Sequence, residues 1–278
     1  MQSMIDYPAM WRELVRVGDK RRNRRIKLDQ IDPWQGRAAG FNERIKDRWR
    51  QKDSSREFLT RTLKEFKDAS ILDIGAGGGA WVSLFSALAG QVTAVEPSKS
   101  MLAFLRGRID EEKLSNVKVV EGAWPLVKVP AHDICFCSHA MYGEADFCAF
   151  IQAMQSSAKK RVILLMRAPK FDGLMAQASK LVWGHPHDSP NFYLALNILW
   201  EMGIHPNVIM EEDELWKPWF HASLEDALAE MKSRLGLFEK SIWDDALFEI
   251  LEQNLTFQNG IYVWPAAIRT GLIYWDIL

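Results

Sequence analysis

An aspartate two residues ahead of a run of glycines, Asp73-Ile74-Gly75-Ala76-Gly77-Gly78-Gly79, is the segment of this 278-residue chain best equipped for chemistry. It follows a short apolar run and opens a helical pattern. Glycines at such a bend allow positive φ and let a ligand approach the backbone closely. The helix that follows aims its N-terminal amides at whatever sits above them. Glu96 ends the next apolar run, where a carboxylate can accept both hydroxyls of a ribose. Two ligand classes fit this spacing. Gly75-x-Gly77-x-x-Ala80, with Glu96 on an adenosine ribose, matches a dinucleotide fingerprint. Asp73 favours the other class, because a carboxylate there repels a pyrophosphate and attracts an ammonium group.

Further chemistry-bearing residues lie at the ends of later apolar runs. His139 follows the fourth, and its ordinary pKa of ~6.5 suits a general base; a packing role is an equal reading. Tyr142, three residues on, is a weaker candidate to bind or deprotonate an acceptor, against a core role. Arg167 ends the fifth run and is a candidate for fixing a substrate carboxylate or phosphate, or for a surface ion pair. His185 and His187 flank a proline without a clear third ligand, so no metal is expected. Cys135 and Cys137 share one face of a buried strand and read as small core hydrophobes. Trp183, Trp200, Trp216, Trp219, Trp243 and Trp264, among twelve tryptophans, suggest an aromatic-walled pocket, with Trp183 a substrate-binding candidate.

These groups need a frame, and the hydrophobic pattern supplies one. Strands are predicted at 70–74, 91–95, 116–120, 133–137, 161–166, 208–210 and 271–275, with helical patterns between most of them. Ser98 reads as an N-cap, with Met101, Leu102 and Leu105 on one helix face. Strands and crossovers in series imply an α/β fold with a doubly wound, mostly parallel seven-stranded sheet. Residues 1–55 read as an N-terminal helical segment or lid. Residues 56–170 and 206–278 read as the core, and 171–205 as a helical cap inserted over the strand ends.

Composition narrows the setting. Hydrophobic residues at 48% and charged ones at 26% exclude wholesale disorder. Three cysteines without a CxxC pair exclude a disulfide scaffold and a zinc ribbon, and suit a reducing, cytoplasmic compartment. No apolar stretch approaches a membrane span, and charges interrupt the first twenty residues, so neither an anchor nor a secretory signal is expected. The net charge of −1 predicts no general affinity for nucleic acid. Residues 1–52 nonetheless carry 14 Lys and Arg against 7 Asp and Glu, centred on Lys20-Arg21-Arg22-Asn23-Arg24-Arg25. A solvated face is the first reading of that cluster, and a phosphate-binding arm the second.

ILDIGAGGGAW, VTAVEPSKSMLAFL, VVEGAW and DICFCSHAMY resemble the successive motifs of class I S-adenosylmethionine-dependent methyltransferases, whose fold is Rossmann-like. WQGRAAGFNERI is similar to the family's N-terminal helix that closes over the cofactor, and TGLIYWDIL to its last strand, antiparallel at the sheet edge. The resemblance spans roughly residues 34–278 and implies S-adenosylmethionine as cofactor. It implies that the backbone of Gly75, Ala76, Gly77 and Gly79 wraps the amino-acid end and that Asp73 orients the ammonium. Glu96 would hold the ribose, with Pro97 and Met101 against sugar and adenine. Gly122, Ala123 and Trp124 would flank the adenine. Ala123 and Trp124 stand where the family often has an acid, so ring stacking and backbone groups would replace that contact. Ser138 and His139 end the strand where methyl donor and acceptor meet.

The expected activity is methyl transfer to a small, aromatic or bulky apolar acceptor, with no nucleic-acid or membrane partner. Two alternatives stand beside it. One is an RNA methyltransferase using Arg21, Arg22, Arg24 and Arg25; the N/D-P-P-Y/F pattern and a Pro-Cys nucleophile are both absent. The other is a non-catalytic S-adenosylmethionine-binding protein.

Overall fold

The computed structural model describes residues 5–25, 32–211 and 218–277, without the side chains of Arg24 and Arg25. The helices α1 (Tyr7–Arg25), α2 (Ala38–Trp49) and α3 (Ser54–Glu65) precede the first strand. There follow β1 (Ser70–Ile74), α4 (Ala80–Leu88), β2 (Gln91–Glu96), α5 (Lys99–Glu112), β3 (Val117–Glu121), β4 (His132–Ser138), α6 (Phe147–Ser157) and β5 (Ala158–Pro169). Next come α7 (Leu174–Trp183), α8 (Phe192–Glu201) and β6 (Asn207–Met210). The chain continues through β7 (Phe220–His221), α9 (Leu224–Arg234), α10 (Asp244–Asn254), β8 (Thr256–Gln258), β9 (Ile261–Val263) and β10 (Ile268–Asp276).

All seven predicted strands form, and they make one sheet in the order β3-β2-β1-β4-β5-β10-β6. β3, β2, β1, β4 and β5 pair parallel to one another. β10 runs antiparallel to both of its neighbours, β5 and β6. The expectation of a last strand at the edge is corrected here: β10 lies one place in, and β6 forms that edge.

Both sheet faces are covered, so the strands are apolar on alternating and opposite sides. Leu72, Ile74, Cys135, Cys137, Val162 and Leu164 pack with α1, α6 and α8. Ile71, Ile134, Phe136, Ile163 and Leu165 pack with α3, α4 and α5. The two cysteines are fully buried and reduced, as the core reading requires. Burial also pushes the Cys135 thiol up to about 12, which removes it from nucleophilic chemistry.

The segments expected as lid and cap each divide. In residues 1–55, α1 belongs to the core: Trp11 is fully buried, stacks on Phe147 at 4.2 Å and donates from Nε1 to the Glu144 carbonyl. α2 and its approach lie over the glycine bend, joined by Arg22 of α1. In residues 171–205, α8 covers the sheet through Phe192, Leu194 and Ile198, because its apolar residues fit the β5 face. α7 instead joins α9 and α10 around Ala178, Ala227, Met231, Leu247 and Leu251. Residues 218–264, between β6 and β10, also carry the three-stranded sheet β7-β9-β8. That excursion fell within the stretch expected as core.

Candidate active site

The bend after β1 is held by backbone bonds before any side chain acts. Gly75 and Ala76 both donate to the Val95 carbonyl, at 2.8 and 3.0 Å. Gly75, Gly77 and Gly79 have φ of 72°, 57° and 82°. A Cβ at Gly75 would meet the Ala140 methyl at 2.2 Å, whereas one at Gly77 would meet nothing within 4 Å. Gly75 is therefore small for the protein's own packing, and Gly77 leaves open space above the backbone. Gly79 caps α4 and packs towards Leu105 and Arg108, and Arg108 Nε donates to the Gly78 carbonyl at 3.0 Å.

Glu96 ties this bend to the next one. Its Oε2 accepts from Gly77 N and its Oε1 from Ser98 N, each at 2.8 Å. Burial raises its pKa, and the two amides offset that rise only in part. Gly122 donates to the Glu96 carbonyl at 3.1 Å, and a Cβ there would strike Val127. Asp73 is 1% exposed, its Oδ2 has no partner, and its pKa is pushed up to about 8 by burial and then by repulsion from Glu96. A buried carboxylate beside another carries a steep cost unless a cation neutralises the pair.

Above this floor lies a cavity of about 680 Å³. Gly75, Ala76, Gly77, Glu96, Pro97, Met101, Ala123, Trp124, Ser138, His139 and Tyr142 all line it, so most of the expected site converges. Asp73, Gly79 and Gly122 support it from behind. Arg167 and Trp183 do not line it. Trp183 packs between the sheet helices and the α7–α9–α10 body, 5.7 Å from the His185 ring. Among the described residues no cluster of His, Cys, Asp and Glu is arranged to hold a metal.

The far wall is a proton-bearing chain. His139 has φ of 56°, a strained conformation for a residue with a side chain, fixed by its amide on the Leu165 carbonyl. Its Nδ1 lies 2.8 Å from Tyr142 Oη, which accepts from Arg167 N at 2.6 Å. The Arg167 guanidinium lies over the Tyr142 ring, 4.2 Å from its centroid. Burial, then Arg48 and Arg167, hold the His139 pKa well below 6.5, while burial raises that of Tyr142. The phenol thus keeps its hydrogen and offers it to a neutral imidazole, an assignment that places the ring hydrogen on Nε2.

The roof is built from residues far in sequence from the glycine bend. Trp34, Phe41, Asn42, Arg48 and Trp49 come down from α2 and its approach, and Arg22 from α1. Asn42 Oδ1 sits where a Cβ on Gly78 would be, and its Nδ2 is buried without a partner. Arg48 donates to Thr270 Oγ1 and lies 3.7 Å from Asp53. The similarity of WQGRAAGFNERI pointed to this helix but to no side chain within it. The basic cluster beside it is partly spent internally, because Arg21 pairs with Glu230 at 2.6 Å.

Asp32 straps the roof to the floor. Its Oδ2 accepts from Ser98 Oγ and Ser100 N, and its Oδ1 from Trp34 N. Burial works against its ionised form, but the bonds from Ser100, Trp34 and Ser98 prevail and bring the pKa to about 2. The strap therefore holds above the ordinary carboxylate range and loosens as pH falls from about 4 towards 2. Asp32→Ala is expected to leave the fold intact and speed ligand escape from the cavity about fivefold at pH 7. Stopped-flow fluorescence with its many tryptophans reads that rate; an unchanged rate would remove the strap from the release step.

A family model described as a methyltransferase domain matches residues 71–161. Similar solved structures include a candidate methyltransferase from Bacillus halodurans C-125, at 15% identity and TM-score 0.53, covering 78% of this chain and 97% of that one. The YcgJ protein of Bacillus subtilis is 16% identical with TM-score 0.51, over 80% and 97%. A candidate sarcosine dimethylglycine methyltransferase from Galdieria sulphuraria is 14% identical with TM-score 0.50, over 80% and 83%. At these identities the likeness is one of fold. No curated protein sequence matches the chain.

Proposed function

We propose that this chain, whose residues 71–161 match a methyltransferase domain, is a class I, S-adenosylmethionine-dependent methyltransferase that methylates a small, aromatic or bulky apolar molecule in the cavity above Glu96. The observation that carries the reading is that floor itself: open space over Gly77, an amide-anchored Glu96, and an unpartnered buried Asp73. Such a set fits a ligand with a ribose at one end and an ammonium group at the other. When bound, S-adenosylmethionine supplies an electrophilic methyl on a sulfonium.

The protein's own work is to hold and align. Glu96 Oε1 and Oε2 each keep a lone pair free of their backbone amides for the ribose hydroxyls. Asp73 neutralises the ammonium. Pro97, Met101, Ala123 and Trp124 line the side where adenine would stack. Trp34, Phe41 and Trp49 make the roof aromatic and Trp81 of α4 adds a further ring to the cavity wall, which suits both a sulfonium and a flat acceptor. Alignment of this kind can supply roughly 7–11 kcal/mol of barrier reduction. His139 and Tyr142 stand at the acceptor end. Burial and the two arginines keep the imidazole neutral, so its Nδ1 holds the phenol hydrogen and fixes Tyr142 Oη as a contact for the acceptor.

The strapped roof supports a small acceptor over a polymer. No helix among the described residues is long and apolar enough to cross a membrane, and the free thiols suit a reducing, cytoplasmic setting. Calorimetry is the direct test: S-adenosylmethionine is expected to bind in the micromolar range and NAD not at all. Heat from NAD alone would return the dinucleotide reading. Tyr142→Phe tests that contact. It is expected to lower kcat about five- to tenfold with unchanged cofactor Kd, and full turnover would show that the phenol only positions His139.

A further inference from the structure

A second cavity, of about 80 Å³, opens where the end of β5 meets α7, α9 and the start of β10. It shares no lining residue with the larger cavity. The stacked Tyr142 and Arg167 stand between the two, one lining each.

Its charged lining groups are mostly cationic, Arg167, Lys170 and Arg234 against Asp188, with Ser189 and Asn191 beside them. Arg167 Nε is buried with no partner, and so is Nε1 of Trp264, a residue 4% exposed. Arg234 lines it too, with its guanidinium 3.7 Å from the Trp219 ring centroid. The one hydrogen bond of Arg234 among the described residues is from Nε to Glu230 Oε1, at 2.9 Å. That same oxygen accepts from Arg21, so one carboxylate serves two guanidiniums. Asp188 is the one acid among the lining residues. Burial lowers the Arg234 pKa and nearby Arg167 lowers it further, against Asp188 and Glu230. Two guanidiniums turned to one space are relieved by an anion. The remaining walls, Trp219, Trp264, Pro186 and Pro265, are apolar. The volume lies between the ~10–15 Å³ one water needs and the ~150 Å³ of a benzene-sized hole.

We propose that this cavity binds a short-chain carboxylate. Its oxygens take the hydrogens of Arg167 Nε, Arg234 and Trp264 Nε1, and its hydrocarbon lies against Trp219 and the prolines. Planar, bidentate donors of this kind match a carboxylate in shape as well as charge. The site does not need the methyl-transfer reading, because none of its lining residues lines the larger cavity, although Arg167 adjoins that cavity's wall through Tyr142.

Calorimetric titration of the full chain with butyrate, and separately with butyramide, tests it without any cofactor. Butyrate is expected to bind with Kd at or below about 1 mM, and the neutral amide at least roughly tenfold more weakly. Arg167→Gln and Arg234→Gln are each expected to weaken butyrate about tenfold. Trp264→Phe keeps the ring and removes the N–H, and is expected to cost about threefold. No heat from butyrate up to about 10 mM, equal affinity for the amide, or undiminished binding in Arg167→Gln and Trp264→Phe would each overturn the proposal.

Discussion

Asp73→Asn is expected to make the cofactor-free protein more stable and its hold on S-adenosylmethionine weaker. The two effects share one cause. Burial, and then Glu96, push the Asp73 carboxyl up to about 8 in the folded chain. Above the ordinary carboxylate range, near pH 4, the unfolded chain releases a proton that the folded chain retains. Stability contributed by the neutral acid is full below pH 4 and is lost as pH rises towards about 8. An amide of the same shape removes that slope, though it remains a buried polar group. The net gain near pH 7.5 is on the order of 2–3 kcal/mol, or several degrees of Tm, and it vanishes near pH 4. Cofactor affinity moves the other way. Loss of a charge-assisted contact to the ammonium costs between about tenfold and a hundredfold in Kd. In the wild type that affinity rises between about pH 6 and 8 as the carboxyl ionises, with proton release visible as a buffer-dependent heat; in the Asn variant it is flat. A variant that binds equally well and melts lower would show that Asp73 serves only the fold.

Gly75→Ala and Gly77→Ala are expected to fail in different ways, although both glycines have positive φ and both line the cavity. A methyl on Gly75 would lie 2.2 Å from the Ala140 methyl, a short side chain with nowhere to swing. Strain and overpacking together cost about 3 kcal/mol, so the apo protein loses stability and cofactor binding together. Gly77 has nothing within 4 Å of its added methyl. There only the backbone strain of about 1 kcal/mol is felt, and the fold survives. The methyl instead fills space over the floor, and S-adenosylmethionine binding falls about tenfold. Thermal melts paired with calorimetry separate the two outcomes. Equal destabilisation by both would mean that the loop is read by φ alone.

The difference between these glycines was not legible in the sequence, where they belong to one motif. The strands were legible, because runs such as Val162–Met166 are apolar on both faces and bounded by turns. Asp73, Glu96 and Ser98 were legible because their roles follow from position at strand ends and at a helix start. What escaped depends on contacts far apart along the chain. Asn42 meets Gly78 through tertiary packing alone. Helical spacing in 171–205 gave two helices but could not say that α8 covers β5 while α7 leaves for α10. Strands β7, β8 and β9 have two or three residues each, too few to display a period. His139 stood out by type, but its depressed pKa arises from burial and then from Arg48 and Arg167, all of which the fold alone brings about.

The place of β10 between β5 and β6 bears on how the molecule is made. While a ribosome is still short of Ile268, β6 has no strand to pair with, and β5 presents one bare edge along its apolar length. Such an edge invites pairing with other chains. The nascent protein must therefore shield β5 until the closing strand arrives, and the sheet is completed by insertion into a waiting gap rather than by growth outward.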